Sequence, residues 1–374
     1  MNILFLSVST GGGHMNAAKA VKETIASKYP NAKCLIVDTL RYISPLLNKL
    51  IVGSYLSMVR NAPDFYGGLY KLSEYNKGIS SLTSTSSKLI ARYLTDLIKD
   101  FCPSIIVCTH TFPLQMVSFL KEKNVISVPI VAVVTDYVNH PFWNLHNIDA
   151  LVVPGNHVKR DMIKTGIPKG IIYPFGIPLS EDFIYKNDKA EMRRTLQLDD
   201  KLTALIMGGS LGIRSVYNSF KLLMNSKKDI QILIVTGENN KLRKKIQQEL
   251  LNYPLNQQDM VRILGYTNNV SNLMDAADFI ITKAGGMTIS EALAKELPIF
   301  LISPMSGQEE RNTSFLVNSG AAVTISSKED IDNILDNTIY NPEQLERIKQ
   351  KGKLLARPNA SYDTVKLFEG LLRS

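Results

Sequence analysis

Short apolar runs recur along this chain, each stopped by glycine or a small polar residue and followed by a segment with helical apolar spacing. Runs of this kind, without polar alternation, are strands buried on both faces, and such strands belong to parallel sheets covered by helices. In the second half they fall at 203–207, 231–235, 261–264, 279–282, 299–302 and 321–325; in the first half at 3–8, 33–37, 105–108, 130–134 and 150–153. The alternation predicts an α/β chain with two Rossmann-like doubly wound sheets. The 374 residues accommodate two domains of ordinary size. A turn over 175–178 ends the first, so the expected domains are 1–178 and 179–355. The segment 356–374, helical over 360–372, is expected to cross back onto the first domain.

The most informative strand exit is Lys283-Ala284-Gly285-Gly286, followed by a helix that carries Met287, Thr288 and Glu291. Strand, glycine turn and helix N-terminus make an anion site, because unpaired N–H groups and the positive dipole end face whatever sits over the turn. Two glycines let a phosphate approach the backbone. Glu291, about one turn in, could accept two ribose hydroxyls. The spacing Thr288-x-x-Glu291 also fits a capping box. The next strand leads to Gln308 and Glu309, which suit sugar hydroxyls.

A second strand–glycine–helix unit stands at the N-terminus, Gly11-Gly12-Gly13-His14. It matches neither the P-loop nor the G-x-G-x-x-G pattern. His14 sits where the loop turns into the helix, at the sheet edge where open α/β folds place ligands. It reads as a general base, or as a helix-capping or hydrogen-bonded imidazole. His110 and Asp136 reach the same kind of edge. Gly208-Gly209-Ser210 and Gly265-Tyr266 close two strands of the second sheet, and the Tyr266 backbone could read a base edge.

Hydrophobic content of 45% and charged content of 21% describe a globular chain with a core, and the net charge of +9 suits an anionic partner. No apolar stretch is long enough to span a membrane. Cys34, Cys102 and Cys108 are odd in number and form no C-x-x-C, which fits a reducing cytoplasm. No H-E-x-x-H and no Cys/His cluster appears, so neither a metal nor another cofactor is expected. The basic residues are dispersed and no nucleic-acid motif occurs, so no nucleic-acid partner is expected. Residues 41–100 interleave aromatic side chains with Lys and Arg, a pattern that fits a headgroup–acyl boundary and equally a domain interface or an ordinary core. Residues 78–87, rich in Ser and Thr, read as a loop.

Taken in order, Gly11-Gly12-Gly13-His14, Thr135-Asp136-Tyr137 with His140 and Trp143, Gly208-Gly209-Ser210, Lys283-Ala-Gly-Gly-Met-Thr-Ile-Ser-Glu291 and Gly307-Gln308-Glu309 resemble the monogalactosyldiacylglycerol synthase and processive diacylglycerol glucosyltransferase family, related to the MurG glycosyltransferases. The resemblance covers nearly the whole chain. It implies a GT-B fold with a central cleft, and inverting transfer of a hexose from UDP-glucose or UDP-galactose to diacylglycerol. The enzyme would be cytoplasmic and peripheral on the anionic inner face of the cell membrane. Carried over by residue, Glu291 would bind ribose and Tyr266 the uracil region. Gly285, Gly286, Met287 and Thr288, with Ser210, would hold the diphosphate, and Lys283 would help stabilise it. Gln308 and Glu309 would bind the sugar. Gly12 and Gly13 would line the nucleotide-sugar site, with His14 on the acceptor side as the first candidate base and Asp136 as the second. Thr10 stands where the plant enzymes carry an acidic residue, which excludes a carboxylate base there; Ala284 replaces a commoner proline. Two alternatives share this donor site: N-acetylglucosamine transfer to a polyprenyl-linked acceptor, and a non-catalytic UDP-sugar sensor.

Overall fold

The structure is a computed structural model that describes residues 1–9, 12–44, 91–209, 214–302, 307–325 and 331–373. Ser210, the stretch 45–90 and the expected loop at 78–87 lie outside the described residues. The chain divides into two compact units. The first is built mainly from Met1–Glu181 and Arg357–Ser374, the second from Asp182–Pro304 and Glu309–Ala356.

Each unit holds a six-stranded parallel sheet. The first contains β1 (Asn2–Ser7), β2 (Lys33–Asp38), β3 (Ile105–Cys108), β4 (Ile130–Val133), β5 (Ala150–Val152) and β6 (Ile172–Tyr173), in the order β2-β1-β3-β4-β5-β6. The second contains β7 (Leu202–Met207), β8 (Ile230–Val235), β9 (Val261–Leu264), β10 (Phe279–Thr282), β11 (Ile299–Ile302) and β12 (Ala322–Ile325), in the order β12-β11-β10-β7-β8-β9. Every residue of β3, β4, β10 and β11 is buried. The unbroken apolar runs are therefore what burial on two faces demands. β6 has no counterpart in the expected strands, because two residues are too short to display a period.

The core of the first unit has two layers, one on each face of its sheet. One packs Leu4, Leu6 and Ile106 with Leu114, Val117 and Trp143. The other packs Ile3, Phe5 and Val107 with Val21 and Ile25, and includes Val365 and Phe368. Those last two lie on the helix Ala360–Arg373, which joins the first unit after the chain has passed through the second. Glu369 pairs with Lys28 at 2.6 Å, and the Ser361 hydroxyl donates to the Leu179 carbonyl at 2.7 Å. In the second unit a buried ion pair, Lys295 with Asp275 at 2.8 Å, holds the entering segment. Lys295 Nζ also donates to the Tyr185 carbonyl, and Asp275 accepts from the Asn187 amide nitrogens at 3.0 and 3.2 Å.

Where the chain leaves β6, Gly176 takes φ +106°, and a Cβ there would collide with Arg357 Cβ and stand 3.1 Å from Ala360 Cβ. Both the dihedral and the contact require glycine. Gly176→Ala is expected to destabilise the protein by at least about 2 kcal/mol, since strain and overpacking act together. Urea unfolding of the variant measures this. A loss below about 0.5 kcal/mol, the scatter of ordinary surface substitutions, would mean that the helix Ala360–Arg373 is not seated against this turn.

Candidate functional site

In an open parallel sheet, ligands meet the chain beyond the carboxyl ends of the strands, at the point where the strand order reverses. In the first sheet that point lies between β1 and β3, and in the second between β7 and β10. His14 with Gly12 and Gly13 stands at the first and Lys283 to Thr288 at the second, while Asp136 follows β4 and Tyr266 follows β9.

At the first, Thr109 follows β3 and ties it to β1: its N–H donates to the Leu6 carbonyl at 3.2 Å and its hydroxyl to Ser7 Oγ at 2.8 Å, with both hydroxyls fully buried. Gly12, at φ +80°, turns the chain into the helix Gly13–Lys28, which puts His14 in the first turn. His14 Nδ1 lies 2.8 Å from the Thr109 carbonyl oxygen and 2.8 Å from Thr135 Oγ1. A carbonyl can only accept, so Nδ1 carries the proton, the Thr135 oxygen shares it, and Nε2 keeps the lone pair. The helix has no side-chain cap, so His14 is not a capping residue; it is a hydrogen-bonded imidazole that reaches across the sheet edge, as the alternative reading allowed. His110 packs against His14 with centroids 4.7 Å apart and planes at 83°. Its Nδ1 accepts from the Phe112 N–H at 3.0 Å.

Burial pushes the His14 imidazole down to about 4, against the opposing pull of its Thr109 bond. His110 is held well below the ordinary histidine range by burial and then by the nearness of His14. Both rings are therefore neutral in the neutral pH range. Asp136 is half-buried and follows Thr135, so the second candidate base is adjacent in sequence to a partner of the first. His157 steadies this segment by donating from Nε2 to the Tyr137 carbonyl at 2.9 Å while stacking on the Tyr137 ring. Among the described residues, no group of three or more His, Cys, Asp or Glu is arranged to hold a metal ion.

At the second point, β7 runs into Gly208-Gly209 and β10 into Lys283–Gly286. The Gly285 N–H donates back to the Lys283 carbonyl at 2.8 Å, a three-residue turn. The helix Gly286–Ala294 then begins, with Gly285 as its N-cap and its first bond from the Ile289 N–H to the Gly285 carbonyl. The N–H groups of Gly286, Met287 and Thr288 thus have no acceptor within the helix. Thr288 is the third helical residue, so it cannot be the N-cap that a capping box with Glu291 needs. The helix starts two residues before Thr288 because the paired glycines supply the turn.

Lys283 lies across both glycine turns. Its Cε is 3.4 Å from where a Gly209 Cβ would stand and 3.8 Å from that of Gly285, and Gly209 takes φ +73°. Its Nζ reaches Glu309 Oε1 at 2.5 Å. Glu309 and the half-buried Gln308 open the helix Gln308–Asn318. The structure thus joins Lys283, Gly209, Gly285 and Glu309. Tyr266 follows β9 at the sheet edge, two strands from β7, and is 56% exposed. The residues that sequence reasoning missed are the partners of these groups: Thr109 and Thr135 around His14, and Asn312, whose Nδ2 donates to the Ala284 carbonyl at 3.0 Å. Their signal was only that they follow strands or sit on a helix face.

Glu291 is half-buried, and desolvation raises its carboxyl to about 7. The folded state then holds this proton more tightly than the unfolded chain. The Glu291 contribution to stability is most favourable below about pH 4.5 and is lost as pH rises to about 7. Glu291→Gln stays neutral throughout. Its advantage over the parent is expected to grow between pH 4.5 and 7 and then level off, as read by urea unfolding across pH. An advantage independent of pH would show that burial does not govern this carboxyl.

Comparison with known proteins bears on the fold and the family. Residues 14–179 match the family model of monogalactosyldiacylglycerol (MGDG) synthase, and residues 203–361 that of the glycosyltransferase family 28 C-terminal domain. The processive diacylglycerol beta-glucosyltransferase of Bacillus mycoides (strain KBAB4) is 29% identical over 367 residues, covering 95% of this chain and 90% of that protein. Among solved structures, MurG of Acinetobacter baumannii superposes with a TM-score of 0.62 at 15% identity, covering 99% of each chain. Anabaena HepE in complex with UDP-glucose does so with a TM-score of 0.57 at 14% identity, covering 100% of this chain and 98% of that one. These likenesses in shape establish a GT-B fold of two Rossmann-like units, as the sequence led us to expect. With both halves matched in order and relatives aligned along nearly the whole length, these findings support the monogalactosyldiacylglycerol synthase and processive diacylglycerol glucosyltransferase family for this chain.

Proposed function

We propose that this chain transfers a hexose from a UDP-sugar to diacylglycerol with inversion at the anomeric carbon, making a glycolipid on the cytoplasmic face of a membrane. The observation that carries the proposal is Lys283 laid across two glycine turns at the switch point of the second sheet, in a chain whose relatives are named processive diacylglycerol beta-glucosyltransferases. Those names favour glucose over galactose. They also favour inversion, since nucleotide-bound glucose is α-linked and the product they name is β. Among the described residues no helix is long and apolar enough to cross a membrane, so the lipid would be met from the surface.

In this mechanism the second unit holds the donor. The N–H groups of Gly286, Met287 and Thr288 and the Lys283 ammonium face the diphosphate, and they oppose the charge that grows on UDP as it leaves. Glu291 accepts the ribose hydroxyls, the Tyr266 backbone meets the base, and Gln308 and Glu309 take hydroxyls of the sugar. Gly12 and Gly13 leave room beside His14. The acceptor hydroxyl attacks the anomeric carbon; its proton passes to His14 Nε2, the new C–O bond forms, and the bond to the diphosphate oxygen breaks. The Nδ1–H bond to Thr109 suits this role, because it fixes the tautomer whose Nε2 can accept. Asp136 remains the second candidate.

Mass spectrometry of lipid products tests the proposal, with UDP-glucose, UDP-galactose and UDP-N-acetylglucosamine each offered with diacylglycerol and with a polyprenyl diphosphate. Glucosyl-diacylglycerol is expected. Product on the prenyl acceptor alone would replace the proposal with the MurG-like alternative, and donor binding without any product would point to a sensor. His14→Ala is expected to keep UDP affinity and to lose transfer by about a hundredfold or more. Near-normal turnover in that variant would move the base to Asp136.

A further inference from the structure

In the donor site as proposed, one ligand is gripped by two separate elements. The turn Lys283–Gly286 takes the diphosphate, and the helix Gln308–Asn318 takes the sugar. They leave different strands, β10 and β11, and their spacing must match the distance between phosphate and hexose. Two side-chain links join them. One is the Lys283–Glu309 ion pair at 2.5 Å. The other is Asn312, which is 1% exposed and donates from Nδ2 to the carbonyl of Ala284, itself fully buried, at 3.0 Å. Glu309 and Asn312 are three residues apart and share one helix face. Asn312 is thus a buried amide inside the fold, bonded to the main chain of the turn itself.

The peptide that Asn312 holds is the one that sets the polarity of the turn. The Ala284 carbonyl and the Gly285 N–H belong to one planar unit and point in opposite directions. Asn312 fixes the carbonyl, and the N–H is thereby committed to the Lys283 carbonyl at 2.8 Å. A glycine on the far side leaves that peptide free to rotate, since Gly285 has no Cβ to resist it. If it flipped, the Ala284 oxygen would face the Lys283 carbonyl, and the bond that closes the turn ahead of the helix would be lost. We propose, resting on the donor-site reading, that Asn312 is a positioning residue for a nucleoside-diphosphate sugar. It pins the 284–285 peptide, keeps the turn ahead of the helix Gly286–Ala294 closed, and holds the phosphate-binding and sugar-binding elements at one spacing.

The test uses the full chain and calorimetric titration with uridine, UDP and UDP-glucose, uridine by competition against UDP-glucose. Two variants are compared: Asn312→Ala, and the similarly sized Asn312→Leu, which has no donor to offer a carbonyl. Thr313→Val, at the next buried position of the same helix, serves as control. Both Asn312 variants are expected to weaken UDP and UDP-glucose by about tenfold or more, the scale of one buried hydrogen bond, while uridine affinity stays within about twofold. The control is expected to keep all three. If Asn312→Ala does not fold, Asn312→Leu alone decides. Equal weakening of all three ligands, or unchanged diphosphate affinity, overturns the positioning role. Absence of any UDP binding by the unaltered protein would instead sink the donor site itself, which is a separate outcome.

Discussion

A strand buried on both faces can offer chemistry only at its ends. That constraint governs this molecule. Its two parallel sheets are covered by helices, their side chains are committed to packing, and what can touch a ligand is confined to the residues just past the carboxyl ends. Strand order then selects among those ends. The reversals between β1 and β3 and between β7 and β10 leave room where two connections diverge, and His14 and Lys283 stand there.

Burial acts on two of the site groups in opposite senses with one result. Desolvation lowers the imidazole of His14 and raises the carboxyl of Glu291, so each favours its uncharged form. Lys283 is handled differently, by an opposite charge from Glu309. The ion pair lets a cation lie against two glycine turns without leaving its charge uncompensated.

Much of this was legible in the residues. The apolar runs located eleven of the strands because burial on two faces removes any alternation, and the glycines after Lys283 marked a strand-to-helix turn because few other compositions fit one so tight. Other features were not legible, for physical reasons. β6 has too few residues to form a pattern. The bonds from His14 to Thr109 and Thr135 span 95 and 121 residues, and nothing local encodes them. Asn312 looks like any polar residue on a helix until the fold places its amide against the Ala284 carbonyl. The capping box was a false local signal, because the helix begins at Gly286.

The seat of Ala360–Arg373 against β1, Lys28 and the Gly176 turn bears on the order of assembly. One layer of the first core needs Val365 and Phe368, which emerge from the ribosome only after the entire second unit has been made. The unit translated first is therefore finished last. The second unit, nearly continuous in the chain, can consolidate while its neighbour waits with an open hydrophobic flank.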